Sequence, residues 1–255
     1  MSDIKPLISV IITLYNYENF ISHCLKSVLN QNYSNLEIVV VDDASTDSSY
    51  KRAKVFEGDK VRVIRFNENR GYSAAKNEGI RESTGEYLVM LDADDMLMKK
   101  SIHRRMKALM ENDVDFVHAN AVVVKNNCTL QDCYKMNDYK EECFPTPYYI
   151  HAQTILLKKQ LHRDFGLYDE TLRSRSDREM WWRLFGQSEA DPMKVKRFYL
   201  DKAVVYYRYH RAMMTRYRQK HRDYDKKVRA MAEEACRVRK MGITKDNTLF
   251  LEDGK

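Results

Sequence analysis

A regular alternation of short apolar runs and amphipathic stretches constrains this chain more than any other feature of its sequence. The run Leu7–Thr13 is typical of a strand buried on both faces of a sheet. Between Glu18 and Gln31 the apolar residues recur at helical spacing, which predicts a helix after that strand. Further strands are predicted at Leu36–Val41, Val61–Phe66 and Glu86–Leu91, and a further helix at Tyr72–Glu82. Such an alternation indicates an α/β fold with a mostly parallel sheet covered by helices.

Polar residues gather just past the carboxyl ends of these predicted strands. Asp42–Asp47 follows the second strand, Asn69–Gly71 the third and Asp92–Asp95 the fourth. Open α/β sheets bind their ligands at this edge. The sequence therefore predicts a binding site there.

The pattern changes after a predicted helix at Lys100–Glu111 and a predicted strand at Val114–Val124. Residues 126–150 contain three cysteines, two prolines and many Asn, Asp and Tyr residues, which favours loops or a hairpin. Helices are then predicted at Lys158–Asp164 and Asp177–Gln187, and a strand at Lys202–Tyr209. We therefore divide the chain into residues 1–125, 126–212 and 213–255, the last being a helical extension.

Length and composition exclude several classes of protein. The chain has 255 residues, enough for one large or two small domains, and no apolar run approaches the roughly 20 residues of a membrane helix. Met1–Pro6 lacks the pattern of a secretory signal. The five cysteines are an odd number without paired CxxC spacing, which argues against a disulfide framework or a zinc site. We expect a cytoplasmic protein with reduced thiols.

The formal charge of +7 is concentrated near the carboxyl terminus. Residues 194–240 carry a net charge of +11, so the remaining residues sum to −4. A sparse apolar stripe along Thr215–Met241 predicts a basic helix there. This favours peripheral contact with an anionic membrane surface, or a phosphorylated substrate, over a nucleic-acid partner. An ordinary solvated helix face is the alternative.

Two acidic clusters suggest specific chemistry. Three carboxylates within Asp92–Asp95 repel one another unless a cation neutralises them, and Mg²⁺ or Mn²⁺ prefers such oxygen ligands. The alternative is a solvated turn that caps the following helix. Asp42 and Asp43 are placed to accept hydrogen bonds from a base or a ribose. A helix cap would explain Ser45–Asp47 equally well, but not the acidic pair before it.

Five separated motifs, in the same order, resemble the family-2 glycosyltransferases of GT-A fold. They are Leu7–Asn16, Ser27–Gln31, Glu37–Asp47, Gly71–Asn77 and Gly85–Asp95. The resemblance implies a GT-A fold, in which a Rossmann-like, mixed and mostly parallel sheet is flanked by helices. It also implies that residues 1–125 bind a nucleotide-sugar and that residues 126–212 form the acceptor-binding and catalytic half of the same domain.

The resemblance implies roles for individual donor-side residues. Donor-nucleotide contacts are implied for Thr13, Tyr15, Asp43, Ser73, Lys76, Asn77, Asp92, Ala93 and Asp94. Within this set, Asp94 is the expected metal ligand. The family often has arginine where this chain has Lys76, and lysine keeps the charge but loses the bidentate fork.

The second half resembles the acceptor side of the family in Phe165–Leu172 and Ser176–Leu184. Asp177 aligns with the general base, and Ser176 stands where a glutamate is usual. Glu179 is therefore the fallback base and a candidate acceptor contact. The alternative is that Asp177 only caps a helix. His151 is a further candidate for the acceptor site.

The run Tyr206–His210 resembles a Tyr-Arg-x-His motif near the end of many family members. There the histidine completes the metal shell or contacts the diphosphate. His210 with Asp94 is a mixed nitrogen and oxygen set, which suits Mn²⁺ somewhat better than Mg²⁺. Arg208 is a candidate phosphate contact, with cross-strand packing as the alternative, and Asp95 is a candidate phosphate or acceptor contact.

The sequence therefore predicts a metal-assisted, inverting glycosyltransferase. It would move a sugar from a nucleotide-diphosphate sugar, with UDP favoured, to a glycan or lipid-linked acceptor. A nucleotidyltransferase of similar fold is the first alternative, but Thr13–Asn16 lacks the glycine-rich, basic loop that holds a triphosphate. A basic module that binds nucleic acid or membrane is the second, and it leaves the ordered motifs unexplained.

Overall fold

The computed structural model describes residues 5–125, 134–135, 150–172, 175–185 and 195–210. The predicted basic helix at Thr215–Met241 and most of residues 126–149 lie outside these ranges. Within them, no helix is both long enough and apolar enough to cross a membrane.

The elements are β1 (Ile8–Leu14), α1 (Ile21–Leu29), β2 (Leu36–Asp42), α2 (Ser49–Lys54), β3 (Val61–Arg65), α3 (Tyr72–Glu82), β4 (Tyr87–Asp92), β5 (Met96–Leu97), α4 (Ser101–Glu111), β6 (Phe116–Lys125), β7 (Tyr134–Lys135), a short 3-10 helix (Ala152–Thr154), β8 (Leu156–Lys158), α5 (Gln160–Phe165), α6 (Ser176–Phe185) and β9 (Arg197–Tyr209).

The strands form a mixed sheet in the order β3-β2-β1-β4-β8-β6-β9-β5, with β7 paired to β6. β1 lies parallel to β2 on one side and to β4 on the other, so that Thr13 is opposite both Val41 and Asp92. Three carboxyl ends therefore meet at one edge, as the sequence predicted. The predicted mixed α/β architecture is confirmed.

The second half of the chain continues the same sheet. β8 lies antiparallel to both β4 and β6, and β9 runs parallel to β6. β9 begins at Arg197, five residues before the predicted start, because its first residues pair with Phe116–Ala119. The register then shifts around Asn120. Strands β5 and β8 have only two and three residues, too few to show a period in the sequence.

The core lies on both faces of the central strands. Alternate side chains of β1 point to opposite sides, so Val10 belongs to one apolar cluster and Ile11 to another. Helix α3 packs closely on β1 through Gly79, where an added Cβ would overlap Ile11 Cγ2. This close approach brings the α3 side chains near the edge where β1 and β4 end.

The carboxylate of Glu37 forms hydrogen bonds that connect three segments at the amino-terminal edge of the sheet. Glu37 Oε1 accepts hydrogen bonds from Ser9 Oγ at 2.6 Å, from the backbone and hydroxyl of Thr84, and from Gly85 N at 3.2 Å. Burial alone would raise the pKa of Glu37, but these hydrogen bonds outweigh it and hold the pKa below its usual value.

We expect Glu37→Gln to lower the free energy of unfolding by about 1–2 kcal/mol at pH 7, because a charged acceptor with several donors is lost. A carboxylate whose pKa is lowered by folding stabilises the protein above its unfolded pKa, and the stabilisation is lost as pH falls through the folded pKa. The difference between wild type and variant should therefore shrink between pH 7 and about pH 3.5. Urea unfolding at both values tests this. Glu111→Gln, which alters only an exposed pair with Lys107, is the control and should change stability by less than about 0.5 kcal/mol.

Candidate active site

A tight acidic turn follows β4. Asp92 is the last residue of the strand, and the carboxylate oxygens of Asp92, Asp94 and Asp95 lie within 4.8 Å of one another. Asp94 and Asp95 are buried, and Asp92 is partly buried. The turn is closed by a hydrogen bond from Asp95 N to Asp92 O at 3.0 Å, and Ala93 N donates to Thr13 O at 3.1 Å. The predicted acidic cluster is therefore a compact group of convergent oxygens.

Neutral donors hold the Asp92 side chain in place. Its Oδ1 accepts hydrogen bonds from Thr13 Oγ1 at 3.1 Å and from Tyr72 OH at 2.7 Å, and its Oδ2 accepts one from Gln153 Nε2. Burial raises the pKa of Asp92, and the positive charge of Lys76 opposes that rise. The sequence did not indicate Gln153, because it lies in an irregular segment far from the recognised motifs.

Asp94 contacts a histidine from the far end of the described chain. Asp94 Oδ2 lies 2.9 Å from His210 Nε2. The imidazole packs edge-on against the ring of Tyr17 and, with a centroid distance of 4.8 Å, against Phe20. The structure therefore brings together the two residues predicted to share a metal ion.

Asp95 is held on one side by the backbone of β9. Arg208 N donates to Asp95 Oδ1 at 2.8 Å, and the Arg208 guanidinium donates to Asp94 O at 2.8 Å. The second oxygen of Asp95, Oδ2, is buried, and no hydrogen bond from the described residues reaches it. Burial is the largest cause that raises the pKa of Asp95 well above its usual value. The negative charges of Asp94 and Asp92 raise this pKa further. A buried, unsatisfied carboxylate oxygen beside two others fits a bound cation.

The pairing of β5 with β9 explains why Arg208 and His210 reach the acidic turn. Met96 and Leu97 follow the turn directly and pair with Tyr206 and Val205. Because β5 is so short, this pairing was not visible in the sequence, although Arg208 and His210 were both predicted from the motif.

The predicted base-binding region lies beside β2. Asp43 is buried, and its two carboxylate oxygens accept hydrogen bonds from Arg70 N at 2.7 Å and Gly71 N at 2.9 Å. Gly71 has φ +93°, a conformation that favours glycine, and α3 begins at the next residue. Tyr15, the third residue predicted to contact the base, directly follows β1, and its side chain is exposed. Asp43 thus orients the loop that starts α3.

Ser73 and Asn77 contact the turn before α6. Asn77 Nδ2 donates to Tyr168 O at 2.8 Å, and Asn77 Oδ1 accepts from Tyr168 N at 2.9 Å. Ser73 Oγ donates to Leu172 O at 3.3 Å. Sequence reasoning placed both residues at the donor pocket, and their observed side-chain contacts join α3 to the second half of the site.

Lys76 has an unusual environment for a lysine. Its side chain is buried, and its Nζ makes no hydrogen bond within the described residues. The ammonium lies 4.2 Å from the ring centroid of Tyr72 and 4.6 Å from that of Tyr168. Burial lowers the pKa of Lys76, and the charges of Asp92 and Asp177 oppose that change. The two carboxylates therefore act on one common cation.

Asp177 lies in the first turn of α6 and is partly buried. Its Oδ1 accepts a hydrogen bond from Arg178 N at 2.9 Å, and no described residue donates to its Oδ2. Burial is the largest cause that raises the pKa of Tyr168, and the negative charge of Asp177 raises this pKa further. Asp177 thus presents one carboxylate oxygen without a donor.

Glu179, the fallback base of the sequence analysis, has a different environment. Glu179 is buried and forms a bidentate ion pair with Arg183, in which Arg183 Nη2 donates to Glu179 Oε2 at 2.8 Å. Arg183 also donates to Leu167 O at 2.8 Å. Glu179 therefore orients Arg183, which links α6 to the turn before it.

The buried residue Arg105 supports the site, although no sequence motif indicated it. Arg105 Nη1 donates to Ile155 O at 2.6 Å and Nη2 to Ser101 Oγ at 2.9 Å, which fixes the segment that carries Gln153. Burial lowers the pKa of Arg105 to about 9. His151 begins this segment, and its ring lies 5.3 Å from that of Tyr207.

Comparison with known proteins identifies the family of this chain. The sequence model of glycosyl transferase family 2 matches residues 9–165. An uncharacterized glycosyltransferase of Rickettsia prowazekii is 30% identical over 210 residues, which cover 79% of this chain and 63% of that protein. The glycosyltransferase GlyG of Streptococcus pneumoniae is 36% identical over 118 residues, which cover 46% of this chain and 39% of GlyG. The chain belongs to glycosyl transferase family 2, and the predicted family is confirmed.

Solved structures show the same fold. Residues 1–349 of TarS from S. aureus, in complex with UDP, match with a TM-score of 0.63 and 21% identity over 79% of this chain and 60% of that one. The complex of TarS with UDP-GlcNAc also has a TM-score of 0.63, with 81% of this chain and 59% of that one covered. The predicted GT-A fold is confirmed.

Proposed function

We propose that this protein transfers a sugar, with inversion, from a nucleotide-diphosphate sugar to a hydroxyl of a glycan or a lipid-linked acceptor. One observation carries the proposal: the buried ammonium of Lys76 lies against the ring of Tyr72, whose hydroxyl donates to Asp92, and against the ring of Tyr168 in the turn before α6. The α3 helix thus connects the acidic turn with the segment that leads to Asp177. A transferase of this kind needs one carboxylate group for the donor and another as the base for the acceptor.

A UDP-sugar is the favoured donor. TarS, which shares the fold, has been crystallised with UDP and with UDP-GlcNAc. Here Thr13, Tyr15 and Asp43 would contact the nucleobase, and Asp92 and Ala93 the ribose. Each carboxylate oxygen has a second lone pair, so Asp43 can accept a further hydrogen bond while it orients Gly71.

The residues around the acidic turn fit a divalent cation. Asp94 and His210 would bind it, since their ligand atoms are 2.9 Å apart and both side chains are buried. The unsatisfied Asp95 Oδ2 adds negative charge beside them. Bound there, Mn²⁺ or Mg²⁺ would act as a Lewis acid that neutralises the diphosphate. Arg208 adds a positive charge at the same turn and remains a proposed phosphate contact.

The proposed base is Asp177 Oδ2, the oxygen that carries no described hydrogen bond. As the acceptor oxygen bonds to the anomeric carbon, its proton passes to Asp177 and the bond from that carbon to the diphosphate oxygen breaks. The nucleoside diphosphate leaves with the bonding electrons. A single in-line displacement inverts the anomeric centre, and no residue needs to act as nucleophile. His151 and Glu179 remain proposed contacts on the acceptor side. Glu179 is included because it lies in α6, the helix that also carries Asp177.

A ligand screen tests the donor proposal. UDP at about 100 times its Kd, with Mn²⁺, adds about 2.7 kcal/mol to the free energy of unfolding. We expect this to raise Tm by about 5–10 °C for a chain of this size. Incubation with UDP-sugars and Mn²⁺ should also release UDP, with AMP and chelated metal as controls. The proposal fails if no nucleoside diphosphate shifts Tm and no UDP-sugar is cleaved.

A further inference from the structure

We infer that Asn77 is a positioning residue, which together with Glu170 fixes the turn before α6 against α3. We call this turn, residues 166–172, the bridging turn. Asn77 would act through it on the helix that carries Asp177, without touching the nucleotide. The inference rests on the proposed function, because it gives Asp177 the role of base.

The side-chain amide of Asn77 is occupied by the bridging turn. Its Nδ2 group has two hydrogens, and it donates to Tyr168 O at 2.8 Å and to Glu170 Oε1 at 2.9 Å. Its Oδ1 accepts a hydrogen bond from Tyr168 N at 2.9 Å. Asn77 is only 1% exposed. Because both amide hydrogens already have acceptors in the turn, a role through the turn fits Asn77 better than a direct contact with a phosphate or a ribose.

The partners also fix the orientation of this amide. Tyr168 N can only donate, and an ionised Glu170 can only accept, so exchange of the amide oxygen and nitrogen would place like groups together. Ser73 lies four residues earlier, on the same face of α3, and its Oγ donates to Leu172 O at 3.3 Å. The helix therefore holds the bridging turn at two separate points.

Glu170 connects the bridging turn with the loop at the start of α3. Its Oε2 lies 3.8 Å from Arg70 Nη2, and its Oε1 lies 3.5 Å from Arg81 Nη2. The backbone N–H of Arg70 is in turn bound by Asp43, which is proposed to contact the nucleobase. The side chain of Glu170 is 37% exposed, and ion pairs at such positions add little to stability. Glu170 therefore joins the base-binding loop to the turn without a large effect on folding.

The opposite side of the bridging turn is attached to α6. Arg183 Nη2 donates to Leu167 O at 2.8 Å, and Arg183 Nη1 donates to Phe165 O just before the turn. Asp177 lies in the first turn of the same helix. A shift of the bridging turn relative to α3 would therefore move the proposed base relative to the donor. A displacement of about 1 Å at a reacting group can lower the rate by about 100-fold.

The test begins with Asn77→Asp, which keeps the size of the side chain and the acceptor for Tyr168 N. It replaces the amide donor by an oxygen that faces Tyr168 O and Glu170 Oε1, so these two contacts become repulsive. We expect kcat for sugar transfer to fall by about 10- to 50-fold, because the turn is displaced. The Kd for UDP should change by less than about threefold, because the amide does not contact the nucleotide.

Glu170→Gln tests whether the two side chains act together. Alone, it can still accept the hydrogen bond from Asn77, and it should lower kcat by less than about threefold. Combined with Asn77→Asp, it supplies an amide that donates to the new carboxylate. We expect kcat of the double variant to be at least about threefold higher than that of Asn77→Asp, a coupling that a double-mutant cycle isolates.

Asn112→Asp is the matched control. Asn112 follows α4, and its Nδ2 donates to Ala108 O at 2.8 Å. The change likewise removes an amide donor from a backbone carbonyl. It should leave kcat and the Kd for UDP at their wild-type values, even if Tm falls.

The outcomes separate the roles of Asn77. A Kd for UDP raised by more than about tenfold would make Asn77 a nucleotide contact and overturn the inference. A lower Tm with unchanged kcat would make it merely structural, and failure of Glu170→Gln to restore kcat would show that the two side chains do not act together.

Glu170→Ala decides the question if Asn77→Asp does not fold. It removes an acceptor of Asn77 Nδ2 at a partly exposed position. A kcat lowered by at least about threefold with an unchanged Kd for UDP would support the inference, and a wild-type kcat would overturn it. If wild type cleaves no UDP-sugar, the proposed function itself fails, whereas an active wild type with a fully active Asn77→Asp refutes only this inference.

Discussion

Asp177→Asn should lower the rate of sugar transfer by about 10²–10⁴-fold, while the Kd for UDP changes by less than about threefold. Asparagine has nearly the same shape and can still accept the hydrogen bond from Arg178 N. It cannot accept the proton of the acceptor hydroxyl at neutral pH. The measurement is kcat with a donor that wild type uses, together with UDP binding by calorimetry.

Asp164→Asn is the matched control for this variant. Asp164 lies on α5, where its carboxylate accepts a hydrogen bond from Gln160 at the surface. The control should retain wild-type transfer and stability. Transfer by Asp177→Asn at more than about a tenth of the wild-type rate would show that another group is the base.

Asp94→Asn should abolish the response to divalent metal. The neutral amide keeps a polar contact with His210 but removes a negative charge from a buried cluster, and hard cations bind amides much less strongly than carboxylates. We expect transfer to fall by at least about 100-fold. The increase in Tm on adding Mn²⁺ with UDP should disappear, and EDTA should reduce wild type to the level of the variant.

Asp59→Asn, at an exposed residue near the opposite edge of the sheet, is the control for the loss of charge. It should keep both metal dependence and activity. If Asp94→Asn still gains stability from Mn²⁺ with UDP, the metal proposal is wrong. The two site variants also differ from each other, because Asp177→Asn should keep the metal-dependent shift in Tm that Asp94→Asn loses.

Regular elements could be predicted because their signals are local. The bounds of α3 agree with the prediction, and the predicted first, second and fourth strands differ from β1, β2 and β4 by at most one residue at each end. Buried parallel strands need continuous apolar residues, and amphipathic helices need a repeat of 3.6. β5 and β8 were missed because strands of two or three residues are specified by their partners in the sheet.

The sequence by itself determined the family, the α/β fold and the acidic turn, because these depend on residues that are close along the chain. Only the tertiary structure decided which distant groups meet. It placed His210 against Asp94 and Gln153 against Asp92. It also buried Lys76 against the rings of Tyr72 and Tyr168, which come from separate segments, and no described residue accepts a hydrogen bond from its ammonium. The physical reason is that the burial and charge of a side chain depend on packing between segments, which local periodicity does not specify.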